Sequence, residues 1–125
     1  MPLPTKILVS PSRDALTLTY SENLSYSLSA EYLRVFSPSA EVRGHGRGNE
    51  VLQYGKREVL ISSLQKSGNY ALQIIFDDGH DSGIYSWDYL YDLGANYQSH
   101  WAQYLDQLNQ AGKSRQPDTQ IIQIH

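Results

Sequence analysis

From Lys6 to Leu28 the chain alternates. Lys6-Ile7-Leu8-Val9 is a short apolar run, Ala15-Leu16-Thr17-Leu18-Thr19-Tyr20 sets apolar against hydroxyl residues, and Leu24-Ser25-Tyr26-Ser27-Leu28 repeats the pattern. A period of two puts one set of side chains on a buried face and the other in water. Three strands are therefore predicted, with a turn at Ser12-Arg13-Asp14, forming an antiparallel meander. Ser29 fits a helix N-cap and Glu31 its first turn. Pro38 disfavours helical backbone at the residue before it, which predicts a short helix ending near Phe36.

Between Ser37 and Gly55 the periodicity lapses. Arg43-Gly44-His45-Gly46-Arg47-Gly48 carries three alternate glycines, whose entropy cost argues against a regular element. Glu58-Val59-Leu60-Ile61-Ser62-Ser63-Leu64 then reads as a strand and Ser67-Gly68-Asn69 as a turn. Tyr70-Ala71-Leu72-Gln73-Ile74-Ile75-Phe76 is apolar almost throughout, which predicts a central strand covered on both faces. Asp78-Gly79 marks a tight turn, because glycine supplies the positive φ. Ser86 predicts the N-cap of a helix through Leu93, stopped by Gly94, and Asn96 the cap of the next, ended by Gly112. In that last helix Tyr97, Trp101, Tyr104, Leu105 and Leu108 form one stripe. The expected class is α+β: an antiparallel β-sheet meander, a short helix after strand 3, and two C-terminal helices packed mainly on one side. Residues 1–112 are expected to form a single domain and 113–125 a polar, flexible tail, in which residues 120–124 could add an edge strand.

Composition narrows the function. A chain of 125 residues suits one core, and a net charge of −3 argues against nucleic acid, which needs a clustered positive surface. Ten tyrosines against two phenylalanines put hydroxyls on most of the aromatic rings, which suits half-buried positions and contact surfaces. With no cysteine, thiolate metal sites, disulfides and a thiol nucleophile are all excluded. No apolar run approaches the roughly 20 residues of a membrane span, and no leader pattern opens the chain, so a cytoplasmic location is expected.

Candidate chemistry gathers at Asp77-Asp78-Gly79-His80-Asp81. His80 with Asp78 and Asp81 offers nitrogen and oxygen donors, and the acidic neighbours would favour a protonated imidazole at the lip of a sheet. The favoured reading is structural: a turn whose aspartates bond backbone, with the histidine packed against the chain after Pro38. Should His45 approach His80, two imidazoles and a carboxylate would suit a divalent transition metal. The Arg43–Gly48 loop could cradle an anion, but it lacks the Gly-Lys-Ser/Thr ending of a phosphate loop. Most aromatics are expected in the core. Trp87, Tyr89, Tyr91 and Tyr97, with Arg43 and Arg47, are candidates for partner contact. No catalytic set is evident: the His80-Asp81 spacing is wrong for an iron oxygenase, and no Gly-x-Ser-x-Gly occurs.

Three segments carry a resemblance. Leu33-Arg34-Val35-Phe36-Ser37-Pro38-Ser39-Ala40-Glu41-Val42, Gly68-Asn69-Tyr70-Ala71-Leu72, and Asp78-Gly79-His80 through Trp87-Asp88-Tyr89-Leu90 resemble the gamma-butyrobetaine hydroxylase-like N-terminal domain, over most of residues 5–112. The resemblance implies a domain that precedes an iron- and 2-oxoglutarate-dependent catalytic domain in eukaryotic hydroxylases. Related domains also stand alone in bacteria or join nucleotide-binding proteins of iron–sulfur cluster assembly. It further implies a zinc site of Cys-Pro-Cys-x-x-Cys and a distant histidine. Here Ser37, Ser39 and Val42 stand at the cysteine positions and His80 at the fourth, so a zinc-free version held by hydrogen bonds and packing is expected. The function expected is a non-catalytic accessory domain binding an unidentified protein partner, as monomer or weak homodimer, with no cofactor, nucleic acid or membrane. The alternative is a metal-handling or iron–sulfur assembly factor using His80 and His45. A small-molecule enzyme would require a deep pocket with convergent polar groups.

Overall fold

The predicted alternation becomes sheet. The computed structural model describes residues 2–44 and 50–117, beginning with strands β1 (Lys6–Val9), β2 (Ala15–Ser21) and β3 (Leu24–Ser29) in an antiparallel sheet of that order. Pairing of Ile7 with Leu18 and of Leu18 with Tyr26, and likewise of Val9 with Leu16 and Leu16 with Leu28, gathers the apolar side chains on one face. Thr17, Thr19, Ser25 and Ser27 fall on the other. The Ser29 hydroxyl accepts the Tyr32 N–H at 3.0 Å, starting helix α1 (Ala30–Val35) at the predicted cap.

One helical turn, α2 (Ala40–Arg43), lies inside the stretch expected to be irregular. A second antiparallel sheet follows, ordered β4 (Ile61–Ser67), β5 (Ala71–Phe76), β6 (Gly83–Ser86). β5 is central, as its composition predicted. β4 starts three residues later than the apolar run suggested (Glu58 against Ile61), because pairing rather than hydrophobicity sets it. The hairpin turn at Gly68 (φ +57°) puts Ser67 opposite Ala71, so polar Gln65 and Lys66 are strand residues on an edge. The expected meander of the first three strands is thus intact, and a second three-stranded antiparallel meander forms a separate sheet. Arg13 pins them together: its carbonyl accepts the Ile61 N–H at 2.8 Å, and its guanidinium donates to Ile61 O at 3.1 Å and Ser62 O at 2.9 Å.

Ser86 caps α3 (Trp87–Ala95) through the Tyr89 N–H, and α3 runs past Gly94 instead of stopping there. A Cβ on Gly94 would sit 2.4 Å from the Tyr26 ring, so this glycine serves close helix–sheet packing. Asn96 spends its side chain on Asp92 rather than on capping α4 (Tyr97–Ala111), and Gly112 closes α4 in the left-handed region. The core joins the inner faces of both sheets to α1 and α3, through Leu18, Tyr32, Leu33, Ile74, Tyr85 and Leu90. Three of its aromatics keep their polar ends satisfied: Tyr32 donates to Leu93 O at 2.7 Å, Tyr85 to Leu33 O, and the Trp87 indole to Asn69 O at 3.0 Å, whereas the buried Tyr20 hydroxyl has no partner among the described residues.

Residues 113–117, expected to belong to a loose tail, are tied back. Gly55 and Arg57 donate their N–H groups to Ser114 O and Arg115 O, and Arg115 forms a bidentate pair with Glu31. Residues 118–125, including the suggested strand, lie outside the described residues. No helix among the described residues is long and apolar enough to cross a membrane.

Candidate functional site

Ser37-Pro38-Ser39 leaves α1 while His80 closes the turn between β5 and β6, and the two segments meet inside the fold. The turn is held by the Phe76 N–H donating to His80 O at 2.9 Å, with Gly79 at φ +89°. His80 is 4% exposed, so it is not at a sheet lip. Its Nε2 lies 2.8 Å from Ser37 Oγ and 3.4 Å from Ser39 Oγ, and the Ser39 N–H donates to Ser37 Oγ at 3.3 Å. Its Nδ1 is 3.3 Å from Glu41 Oε2, outside hydrogen-bond alignment. Val42 is buried on α2 nearby in sequence. Gly83 lets β6 come close, since a Cβ there would meet Ser37 Oγ at 2.8 Å.

This is a hydrogen-bonded knot. Two neutral hydroxyls, a hydrocarbon and one imidazole do not fit zinc, which needs thiolate, imidazole or carboxylate donors. Among the described residues no group of three His, Cys, Asp or Glu converges. Ser37, His80 and Glu41 do follow one another as nucleophile, base and acid would. However, Ser37, although it borders a cleft between α2 and α4, is 1% exposed and its oxygen already accepts the Ser39 N–H.

The aspartates have structural partners. Asp78 accepts Arg34 Nε at 2.9 Å, Lys56 Nζ at 2.8 Å and the His80 N–H at 3.1 Å. Burial alone would raise its pKa, but the hydrogen bonds from Lys56 and His80 and the Arg34 and Lys56 charges hold it below the usual carboxylate value. Asp77 accepts the Leu60 N–H, and Asp81 is exposed, contributing its backbone carbonyl to Gln73. His45 and Arg47 lie outside the described residues.

The expectation of a protonated His80 is overturned. Burial pushes its pKa down, the Arg34 charge adds to this, and Glu41 and Asp78 only partly oppose them. Between that lowered value and the ordinary 6.5, the unfolded chain binds a proton that the native imidazole refuses. Stability is therefore full above this window and falls as pH drops through it, with no further loss below. Urea midpoints measured from pH 7.5 to 5 should show this decline, and His80→Asn should flatten it while His100→Gln keeps it.

A second feature is a cleft of about 590 Å³ where α1, α2, residues 50–53 and the outer face of α3 and α4 meet. Val35, Phe36, Val42, Leu52 and Tyr104 supply apolar walls, with Gln53, Gln103 and Gln107 among them. Tyr89 donates to Phe36 O at 2.6 Å, Tyr104 to Gln53 O at 2.7 Å, and His100 Nε2 lies 3.0 Å from Asp92 Oδ2. Burial pushes the Tyr89 hydroxyl's pKa up, with Arg43 opposing. The exposed Arg43 guanidinium stacks over the Tyr89 ring at 5.2 Å and has no carboxylate partner among the described residues.

Of the partner-contact candidates, then, Arg43 and Tyr89 come together. Trp87 must be corrected to the core, at 6% exposed, because the β6–α3 junction turns it inward toward Asn69. Half-buried Tyr91 packs edge-on against Tyr20 at 5.3 Å and Tyr26 at 5.8 Å, while Tyr97 stays exposed and stacks on Trp101. The sequence reading missed Asp92, His100, Gln103 and Gln107. Their signal was the i, i+4 spacing of His100 with Tyr104 and of Gln103 with Gln107 on α4.

The family model described as gamma-butyrobetaine hydroxylase-like, N-terminal, matches residues 7–91. The chain belongs to this family. It is similar at 51% identity to a protein solved in solution by NMR, over 99% of this chain and 98% of that one, with a TM-score of 0.82. A second NMR structure is similar at 41% identity, covering 100% and 94%, with a TM-score of 0.78. A crystal structure from Acidithiobacillus ferrooxidans, of a protein with unknown function in the DUF971 family, is 29% identical over 75% of this chain and 94% of that one, with a TM-score of 0.61. No curated protein matches the chain.

Proposed function

We propose that this member of the gamma-butyrobetaine hydroxylase-like family is a non-catalytic accessory domain of the cytoplasm that docks a protein partner at the cleft between α2 and α4. The observation that carries the reading is Arg43 laid over Tyr89 at the edge of that cleft, a cation with no ion-pair partner among the described residues although Glu50 and Asp92 also line the cleft. Arginine and aromatic side chains beside apolar walls are the composition enriched in protein contact centres. Capture from a native lysate on the tagged full chain tests it. A protein retained by the parent chain should be lost with Arg43→Glu and weakened at least about tenfold with Tyr89→Ala, both variants keeping the parent circular dichroism. An identical captured set for parent and Arg43→Glu would sink the assignment.

A second reading, metal handling linked to iron–sulfur assembly, is favoured only by the buried His80 Nδ1 beside Glu41. It requires stoichiometric zinc, iron or nickel in the purified chain, lost with His80→Asn. Elemental analysis finding trace metal alone would remove direct binding.

A further inference from the structure

On another part of the molecule residues 3–7 border a groove with the β4–β5 hairpin, and the two sheets do not pair there among the described residues. Among the described residues β1 is an edge strand of the first sheet and β4 an edge strand of the second. The seam between them is fastened at one end by Arg13 against Ile61 and Ser62. At the other end it widens into a groove of about 540 Å³ between Thr5–Ile7 and the β4–β5 hairpin. Leu3, Ile7, Leu72 and Trp87 give the groove its apolar lining, and Lys6 and Lys66 are its charged residues. Neither lysine has an ion-pair partner among the described residues, and no carboxylate lines the groove.

We propose that this groove binds an extended acidic segment of a partner protein, which adds as a strand to the open edge of β1. Three separate features select that occupant. A strand edge leaves alternate N–H and C=O groups facing outward, ready to bond an extended chain. Apolar residues of such a chain would cover Ile7 and Leu72, and acidic ones would reach Lys6, on the opposite face of β1 from Ile7, and Lys66, which pairs with Leu72 and shares its face. A second copy of the chain is disfavoured, because edge-to-edge pairing would bring four like charges together. Pro4, with no N–H, limits the pairing to the residues that follow it. The inference is independent of the cleft at Arg43, and either can fail alone.

The test uses the full chain and a fluorescent peptide, Glu-Val-Asp-Ile-Glu-Val, against a counterpart with lysine at each acidic position. The acidic peptide should give a saturable anisotropy rise that weakens with added salt, and the basic one none. Lys6→Glu with Lys66→Glu, both at exposed positions, should weaken binding by about tenfold or more with the thermal midpoint unchanged. Hydrogen exchange should slow at the β1 amides when the peptide is bound. Equal binding of both peptides, or no effect of the double charge reversal, would overturn the proposal. So would tighter peptide binding after Ile122→Asp and Ile124→Asp, which would give the groove to the chain's own tail. Concentration-dependent self-association that protects the Thr5–Ile7 amides would overturn it in favour of a second copy.

Discussion

Exchanging Ser37, Ser39 and Val42 together for cysteine is expected to turn this chain into a zinc protein, with one ion bound at nanomolar affinity or tighter, on the order found for structural sites. The geometry is nearly in place. His80 Nε2 already faces both hydroxyl positions, at 2.8 and 3.4 Å. Tetrahedral zinc, with bonds of about 2.3 Å to sulfur and about 2.0 Å to nitrogen, wants those atoms roughly 3.5 Å apart. Sulfur at Ser37 would have to retreat a little, while at Ser39 the spacing is already right. Val42, buried on α2, would supply the third thiolate from a side chain that now only packs. In the parent chain each serine–histidine bond is worth about 1 kcal/mol, so the knot is much weaker than a metal site. Adding zinc to the parent should leave its melting curve unmoved. The triple variant should melt higher with zinc and lose that gain to a chelator. A folded triple variant that purifies without metal would show that these four side chains do not share one centre.

The same knot shows where sequence reasoning succeeds and where it stops. Ser37, Ser39 and His80 were brought together by aligned motifs, and the contact follows from two local devices readable in the chain: the Ser29 cap that starts α1 and the Asp-Gly turn before His80. The protonation state of His80 was not readable. Counting neighbours along the chain gives three aspartates, yet Asp81 points to solvent and Asp78 is held by Arg34 and Lys56, which come from 44 and 22 residues away. Burial then outweighs the acids.

Elements were legible in proportion to their length and period. β2 and β3 alternate over several residues and appear as predicted, whereas α2 buries a single residue, Val42, and one turn has no period to detect. β6 was hidden because Gly83-Ile84-Tyr85-Ser86 sits against a helix cap, and its strand character comes from pairing with β5. The α4 stripe also divides: Tyr104 and Leu108 are buried, while Tyr97 and Leu105 remain exposed because residues 113–115 and α1 cover only part of the helix. The cleft was the least legible feature. Its walls come from five separate stretches, and only Arg43 and Tyr89 carried a residue-type signal.

Arg115→Ala is expected to destabilise the fold by about 2–3 kcal/mol, a fall in Tm of roughly 10 °C, although the residue lies beyond the last helix. Arg115 donates to both carboxylate oxygens of Glu31, at 2.8 and 2.7 Å, and its guanidinium lies 5.2 Å from the centre of the Trp101 ring. The Glu31 side chain is only 6% exposed, so losing the arginine would strand a carboxylate away from water. Breaking a fully buried pair costs about 3–5 kcal/mol, and the 35% exposure of Arg115 discounts that figure through solvent screening. Lysine is a poor substitute, since one ammonium cannot reproduce two parallel bonds or the stacking on Trp101. Replacing Glu31 by glutamine in the Arg115→Ala background should recover much of the loss, because a neutral amide is cheaper to bury unpaired. Urea unfolding of the four chains forms a double-mutant cycle, and a coupling below about 0.5 kcal/mol would refute the pairing argument. We further expect a chain ended at Gly112 to be destabilised at least as much as Arg115→Ala, since it also gives up the bonds from Gly55 and Arg57 to Ser114 and Arg115. The folded unit we propose therefore continues past Gly112 through at least Arg115, and this C-terminal strap supports α1 directly ahead of the Ser37–His80 knot.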